Sequence, residues 1–454
     1  MNRRDFLKSL AGAFAASLAQ PFVHPAMAQL MPGRETARAA GRSRPNIICI
    51  LSDDVGLGNI GCYGGKFRTP NIDALAQDGI RFERCCSTPL CGPSRCQLLT
   101  GQYPFRTGLI NNQSAQAISP VRQIMIPTIM KAAGYATASV GKWGQMSLGP
   151  REWGFDEHLV FRGSGKYWAS QGNYLVNGQR KALGEQYLPD MMHRFLVDFA
   201  RRHSERPFFV YYPMSHIHGP ILKTPDTRRG SDLYADNVEY MDKLVGRLVA
   251  ELDRLKLREN TLVLFTGDNG TAGGPNRAPV NGRPLSGSKG TMREGGSRVP
   301  LIASWPGTVA AGKVLPDLID FSDFLPTFAA LGGAALPKDR TLDGRSFAPR
   351  LFGQDGNPRQ CVYVELAGRR YVRDDRWKLT GAGELFDLKN APFEETPVPR
   401  DTRDPQAVMA RKQLHAALVA LVGEQRLGGP GGMDRPARNP ARRAPRRNRD
   451  RNQP

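Results

Sequence analysis

The sequence predicts an α/β protein, a mainly parallel mixed sheet sandwiched by helices, followed by a small C-terminal antiparallel sheet with one packed helix. Three observations carry this. Unbroken apolar runs, as strands buried on both faces require, recur at 46–51, 207–212, 261–266 and 299–304. Helical periodicity occupies the segments 69–79, 126–133 and 234–255, and alternation of this kind gives a sheet covered on both faces. After residue 352 the pattern changes to short strand-like pieces at 361–366, 371–373, 377–380 and 384–388, closed by a helix at 406–422.

From the start of the chain, residues 1–28 read as a signal peptide. Arg3-Arg4-Asp5-Phe6-Leu7-Lys8 is a charged head, 9–18 is apolar, and Ala26-Met27-Ala28 is a cleavage site. The paired arginines make it a twin-arginine type, so a periplasmic or secreted protein is expected. The apolar run is too short to span a bilayer, and no other stretch approaches that length, so no transmembrane span is expected. Residues 29–44 form a polar linker, 45–352 a catalytic domain and 353–427 an α+β subdomain. Residues 428–454 are a basic tail rich in Arg, Pro and Gly, with too little apolar surface to order itself.

The net charge is +21 over 454 residues. The tail accounts for part of it, with eight arginines against two aspartates, and the rest of the chain stays basic. A basic body attracts an anionic substrate. No nucleic-acid-binding motif is present, so no nucleic acid partner is expected. Cysteines stand at 49, 62, 85, 86, 91, 96 and 361 with no Cys-x-x-Cys pair, which argues against zinc. An oxidising compartment permits a disulfide among 62, 85, 86 and 96, with the partners open.

The first apolar run ends in Ser52-Asp53-Asp54 and a later one in Gly267-Asp268-Asn269-Gly270. Ligands of such sheets gather beyond the carboxyl ends of the strands, so Asp53, Asp54, Asp268 and Asn269 are expected to share a site. Four oxygen-bearing groups suit a hard cation, Ca2+ or Mg2+, better than zinc. Residues 89–101 read Pro-Leu-Cys-Gly-Pro-Ser-Arg-Cys-Gln-Leu-Leu-Thr-Gly. Pro93 suits a first helical turn. Cys91 is thereby placed at the positive end of a new helix, with Arg95 one turn along. That arrangement favours an anion beside an activated nucleophile, whereas a lone cysteine is ordinarily a structural one.

Cys91, Pro93, Ser94, Arg95, Leu98, Leu99, Thr100 and Gly101 resemble the signature of the type I, formylglycine-dependent sulfatases of the alkaline phosphatase-like superfamily. The resemblance implies that a formylglycine-generating maturation enzyme oxidises Cys91 to formylglycine, whose hydrate attacks sulfur. It implies a divalent ion, usually calcium, on Asp53, Asp54, Asp268, Asn269 and the group at 91. Residues 134–143 resemble the family's second signature, whose lysine, here Lys142, contacts the sulfate. Lys289, within 287–296, is expected to be a second cation at the ester. His218 matches a family histidine two residues before a proline and is expected to protonate the leaving alkoxide, with His216 only its neighbour. Arg376-Trp377-Lys378-Leu379 and 384–389 resemble the family's C-terminal subdomain. Export of an already folded protein would let the cysteine be converted and the metal loaded beforehand.

These features imply hydrolysis of a sulfate ester on a sulfated small molecule or glycan, with Trp143, Tyr167 and Trp168 as sugar platforms or, equally, core aromatics. The family usually continues Lys-Trp-His, whereas Gly144 and Gln145 follow Trp143 here. Gln145, His216 or a histidine from elsewhere in the chain are the candidates to replace that histidine. Two other readings stand beside this one: a phosphate or phosphonate ester hydrolase of the same superfamily, and a catalytically silent polyanion-binding protein.

Overall fold

The computed structural model describes residues 44–427, apart from 145, 172, 173 and 183. The signal peptide, nearly all of the linker, Gln145 and the basic tail lie outside the described residues. The main sheet has ten strands: β1 (Asn46–Ser52), β2 (Ile80–Cys86), β3 (Ala136–Gly144), β4 (Glu157–Arg162), β5 (Tyr174–Val176), β6 (Gln179–Lys181), β7 (Phe208–Pro213), β8 (Thr261–Gly267), β9 (Arg298–Ser304) and β10 (Lys313–Asp320). Their order is β10-β2-β9-β8-β1-β7-β3-β4-β5-β6.

Side chains on β1 alternate between two cores, as a strand's two-residue period requires. Ile48 and Ile50 enter one, with helices α1 (Pro70–Gln77), Leu188–Arg202 and Leu233–Arg254. Ile47, Cys49 and Leu51 enter the other, with α2 (Cys91–Thr100), Ile126–Ala132 and Phe324–Gly332. Every residue of β1, β7 and β8 is buried, which is why these strands read as unbroken apolar runs.

The block β8-β1-β7-β3-β4 is parallel. β9 runs antiparallel to both β8 and β2, and β4, β5 and β6 pair antiparallel. β10 contains Pro316 and lies at a sheet edge, where a missing N–H is tolerated.

The second sheet is antiparallel in chain order: β11 (Val362–Leu366), β12 (Arg369–Arg373), β13 (Trp377–Thr380), β14 (Leu385–Asp387) and β15 (Thr396–Val398). Helix Pro405–Val422 buries Ala407, Ala410, Leu414 and Leu418 against Val372, Trp377, Leu379 and Leu385, the three-to-four spacing of one helix face. All seven cysteines are free thiols, so the disulfide that the sequence permitted does not form. Among the described residues no helix is long and apolar enough to cross a membrane.

Candidate active site

Four neighbouring parallel strands, β8, β1, β7 and β3, open their carboxyl ends on one edge of the sheet. Ser52 is in register with Gly267, so Asp53 and Asp268 follow side by side. The Asp54 N–H donates to Asp268 Oδ1 at 3.0 Å. Asp54 turns the chain with φ of 63°, a left-handed conformation that non-glycine residues adopt mainly where surroundings enforce it.

α2 begins at Cys91, and its N-cap, Leu90, supplies no side-chain bond. Cys91 Sγ, an Asp53 oxygen and an Asp268 oxygen all lie within 4.8 Å of one another. The Arg95 guanidinium, fully buried, donates from Nε (2.9 Å) and Nη2 (2.7 Å) to Asp268 Oδ2. Lys142, fully buried on β3, places Nζ 2.7 Å from Asp53 Oδ2. Lys289 arrives on the connection between β8 and β9, with Nζ 2.5 Å from Asp54 Oδ1. His218, after β7, is 26% exposed and sets Nε2 3.9 Å from Asp54 Oδ2. Its Nδ1 lies 2.6 Å from Gly219 O, so Nδ1 carries a proton and Nε2 is the nitrogen free to exchange one.

Three carboxylates therefore face three cations. Burial opposes the charge of Asp53, but Lys142 and Arg95 outweigh it and hold the carboxyl below its usual range. Burial likewise opposes the Lys289 ammonium, and Asp54, followed by its neighbours, raises it above the ordinary lysine range.

The residues fit a hard divalent cation. Asp53 Oδ1 and Asn269 Oδ1 are buried without a hydrogen-bond partner, and Arg95 Nη2 stays 3.6 Å from the former. Asn269 donates its amide protons to Asp54 Oδ1 and Gly270 O, both at 2.9 Å, which leaves its oxygen as an acceptor. Each buried orphan acceptor costs roughly 1–3 kcal/mol, a cost that Ca2+ or Mg2+ would remove. On a set already balanced in charge, such an ion creates a net positive cradle for an oxyanion.

His216 does not face this cradle. It is fully buried, with Nε2 3.0 Å from the Tyr187 hydroxyl and its ring against Tyr167. Burial pushes its pKa down to about 3. Its carbonyl accepts from the Asp53 N–H at 2.6 Å and from Ser52 Oγ at 2.7 Å, so it braces the turn. Gly144, with φ of 68°, lies beside Lys142 and Arg95.

Trp143 and Tyr167, for which the sequence left sugar platform and core equally open, are core residues. They are 2% and 0% exposed, and their polar atoms bond to Leu148 O and His218 O. Trp168 is half-buried, with its indole N–H on Lys223 O. Sequence reasoning missed Asn112. Its Oδ1 accepts from the Gly92 N–H at 2.9 Å and its Nδ2 lies 3.8 Å from Cys91 Sγ. Asn111-Asn112 in a turn-rich stretch reads only as a loop, so no local signal marks it.

Residues 45–334 match the family model described as Sulfatase, and residues 288–423 match that of the N-sulphoglucosamine sulphohydrolase C-terminal region. The chain is 35% identical over 369 residues to the N-acetylgalactosamine-6-sulfatase of Canis lupus familiaris, covering 72% of this chain and 69% of that one. It is 34% identical over 385 residues to arylsulfatase A of Homo sapiens, covering 74% of each. Among solved structures it is similar to Ps i-CgsB in complex with k-i-k-neocarrahexaose, with 27% identity and a TM-score of 0.72, covering 85% of this chain and 95% of that one.

Proposed function

Because this chain belongs to the sulfatase family, whose reaction is sulfate ester hydrolysis, we propose that it desulfates a sulfated carbohydrate through formylglycine made from Cys91 and a bound Ca2+ or Mg2+. The observation that carries this reading is the approach of Cys91 Sγ to the Asp53 and Asp268 oxygens at the start of α2. The carbohydrate assignment draws on a relative named for N-acetylgalactosamine 6-sulfate and on the neocarrahexaose complex.

The sulfur of Cys91 stands where the modified residue would place its oxygen. Formylglycine supplies the nucleophilic oxygen that a thiol lacks, and the divalent ion, held by Asp53, Asp54, Asp268 and Asn269, supplies Lewis-acid charge. The helix end at 91 favours negative charge there. Lys142 and Lys289 are already fixed by Asp53 and Asp54, so they bind sulfuryl oxygens with little reorganisation. Arg95 holds Asp268 in place. His218, its Nδ1 engaged by Gly219, delivers a proton from Nε2 to the departing alcohol.

A peptide mass spectrum across residue 91, after co-expression with a maturation enzyme, is expected to show the aldehyde. Unmodified thiol together with absent turnover would count against the reading. Chelation of the ion is expected to abolish turnover, and added Ca2+ or Mg2+ to restore it. Matched aryl sulfate and aryl phosphonate esters separate this reading from the phosphonate alternative, with sulfate expected to react faster. We also propose export by the twin-arginine route, on the strength of Arg3, Arg4 and the 26–28 cleavage site. Replacing both arginines by lysine is then expected to leave activity in the cytoplasmic fraction.

A further inference from the structure

Lys289 has no helix or strand to hold it, since residues 286–293 are irregular. The second sheet and the connection between β14 and β15 fasten that segment at both ends. The Ser286 N–H donates to Pro392 O at 2.8 Å. Beyond Lys289, Lys378 of β13 donates from Nζ to Met292 O at 3.1 Å and pairs with Glu395 Oε2. The other Glu395 oxygen accepts from the Glu294 N–H at 2.8 Å. Lys378 is fully buried and Glu395 is 5% exposed. A second pair joins Arg373 of β12 to both Glu294 oxygens at 2.9 Å.

A buried ion pair is weak evidence for stability, because desolvation offsets its attraction and apolar replacements are often neutral. Its attested use is to set one arrangement over others. Here the groups it sets are the main chain at 292 and 294, a few residues from an ammonium on the site.

We propose that the Lys378–Glu395 pair is a positioning element for catalysis: it fixes the main chain at 292 and 294 and so, together with the Lys289 N–H held on Thr271 O at 3.1 Å, aims Lys289 at Asp54 and the group at position 91. This rests on the sulfatase reading above. A shifted Lys289 binds the sulfuryl oxygens less well, and small misplacements of a positioned group are costly in rate.

The test compares wild type, Lys378→Met/Glu395→Leu, Lys289→Ala and the triple variant, all matured and metal-loaded. Turnover of 4-nitrophenyl sulfate and, separately, affinity for inorganic sulfate by titration calorimetry are measured. The double variant is expected to melt near wild type, to lose at least about tenfold in kcat/KM and to bind sulfate more weakly. Added to Lys289→Ala, it is expected to cost less than twofold more, because both changes remove one function. Should the double variant not fold, Glu395→Asp keeps both charges while withdrawing the oxygen from 294. Its expected loss is at least about threefold, again not multiplying with Lys289→Ala. A folded variant within twofold of wild type, or losses that multiply with those of Lys289→Ala, would overturn the proposal. Wild-type protein that turns over neither 4-nitrophenyl sulfate nor sulfated sugars removes the sulfatase reading and this inference with it, whereas an active wild type with unaffected variants removes this inference alone.

Discussion

Asp53 meets Lys142 through one oxygen, while its other oxygen has no hydrogen-bond partner. Lys142→Ala therefore strips a buried carboxylate of its nearest counter-charge. It is expected to cost about 3 kcal/mol of stability and about 10²–10³ in kcat, read by urea unfolding and steady-state kinetics. Gly144 is limited by conformation instead of space. A Cβ there would approach nothing closer than 3.5 Å, yet φ is 68°. Gly144→Ala is accordingly expected to lower stability by about 1 kcal/mol, seen as a lower melting temperature with little change in sulfate affinity. At this scale, residue type and motif spacing singled out Cys91, Arg95, Asp53, Asp54, Asp268 and Asn269, which the structure gathers at one edge of the sheet. Asn112, Trp143 and Tyr167 were not legible in their true places, because contact with Cys91 or with the core depends on chain remote from them.

At the scale of elements, the site depends on how closely the β8 turn can approach its neighbours. A Cβ on Gly270 would meet Gly295 O at 1.8 Å, and one on Gly267 would meet Val55 O at 1.8 Å. Neither obstacle is a flexible side chain, so the facing backbones, the short helix Glu294–Ser297 and the loop after β1, must move away. Gly270→Ala is expected to cost about 2 kcal/mol and to lower metal affinity, measured by calorimetry on the folded variant. β1, β7 and β8 were readable because central strands concentrate aromatic and branched residues. β3 was not: its small residues, Ala136 to Ser139 and Gly141, form a strand only because β7 and β4 pair with it. Strand preference is largely such packing. The reversed direction of β9 is equally silent in sequence, since both its faces are buried whichever way it runs.

For the whole molecule, the response to acid follows from histidines buried uncharged. His193, 4% exposed on helix Leu188–Arg202, has its pKa pushed down to about 4, by burial first and by Arg247 second. The unfolded chain takes up that proton near pH 6.5, before the folded one does. Stability is thus full above pH 6.5 and declines until about pH 4. The expected loss is about 2 kcal/mol by pH 5 from His193, and buried His216 adds a loss of its own over the same window. His193→Phe should therefore roughly halve, not abolish, the fall of urea midpoints between about pH 6.5 and pH 5. Asp53 and Glu294, both held below the usual carboxylate range, add their own losses only in stronger acid.

By itself the sequence determined the family: a sulfatase signature around Cys91, oxygen-bearing side chains at two strand ends, and a basic, strand-and-helix chain to carry them. These are written in neighbouring residues, where a few positions of backbone suffice to relate them. Tertiary structure alone decided that β8, β1, β7 and β3 lie adjacent, that His216 braces a turn, and that a distant sheet grips the segment bearing Lys289. Such outcomes depend on burial and on ion pairs between residues remote in the chain, and neither is encoded at any single place along it.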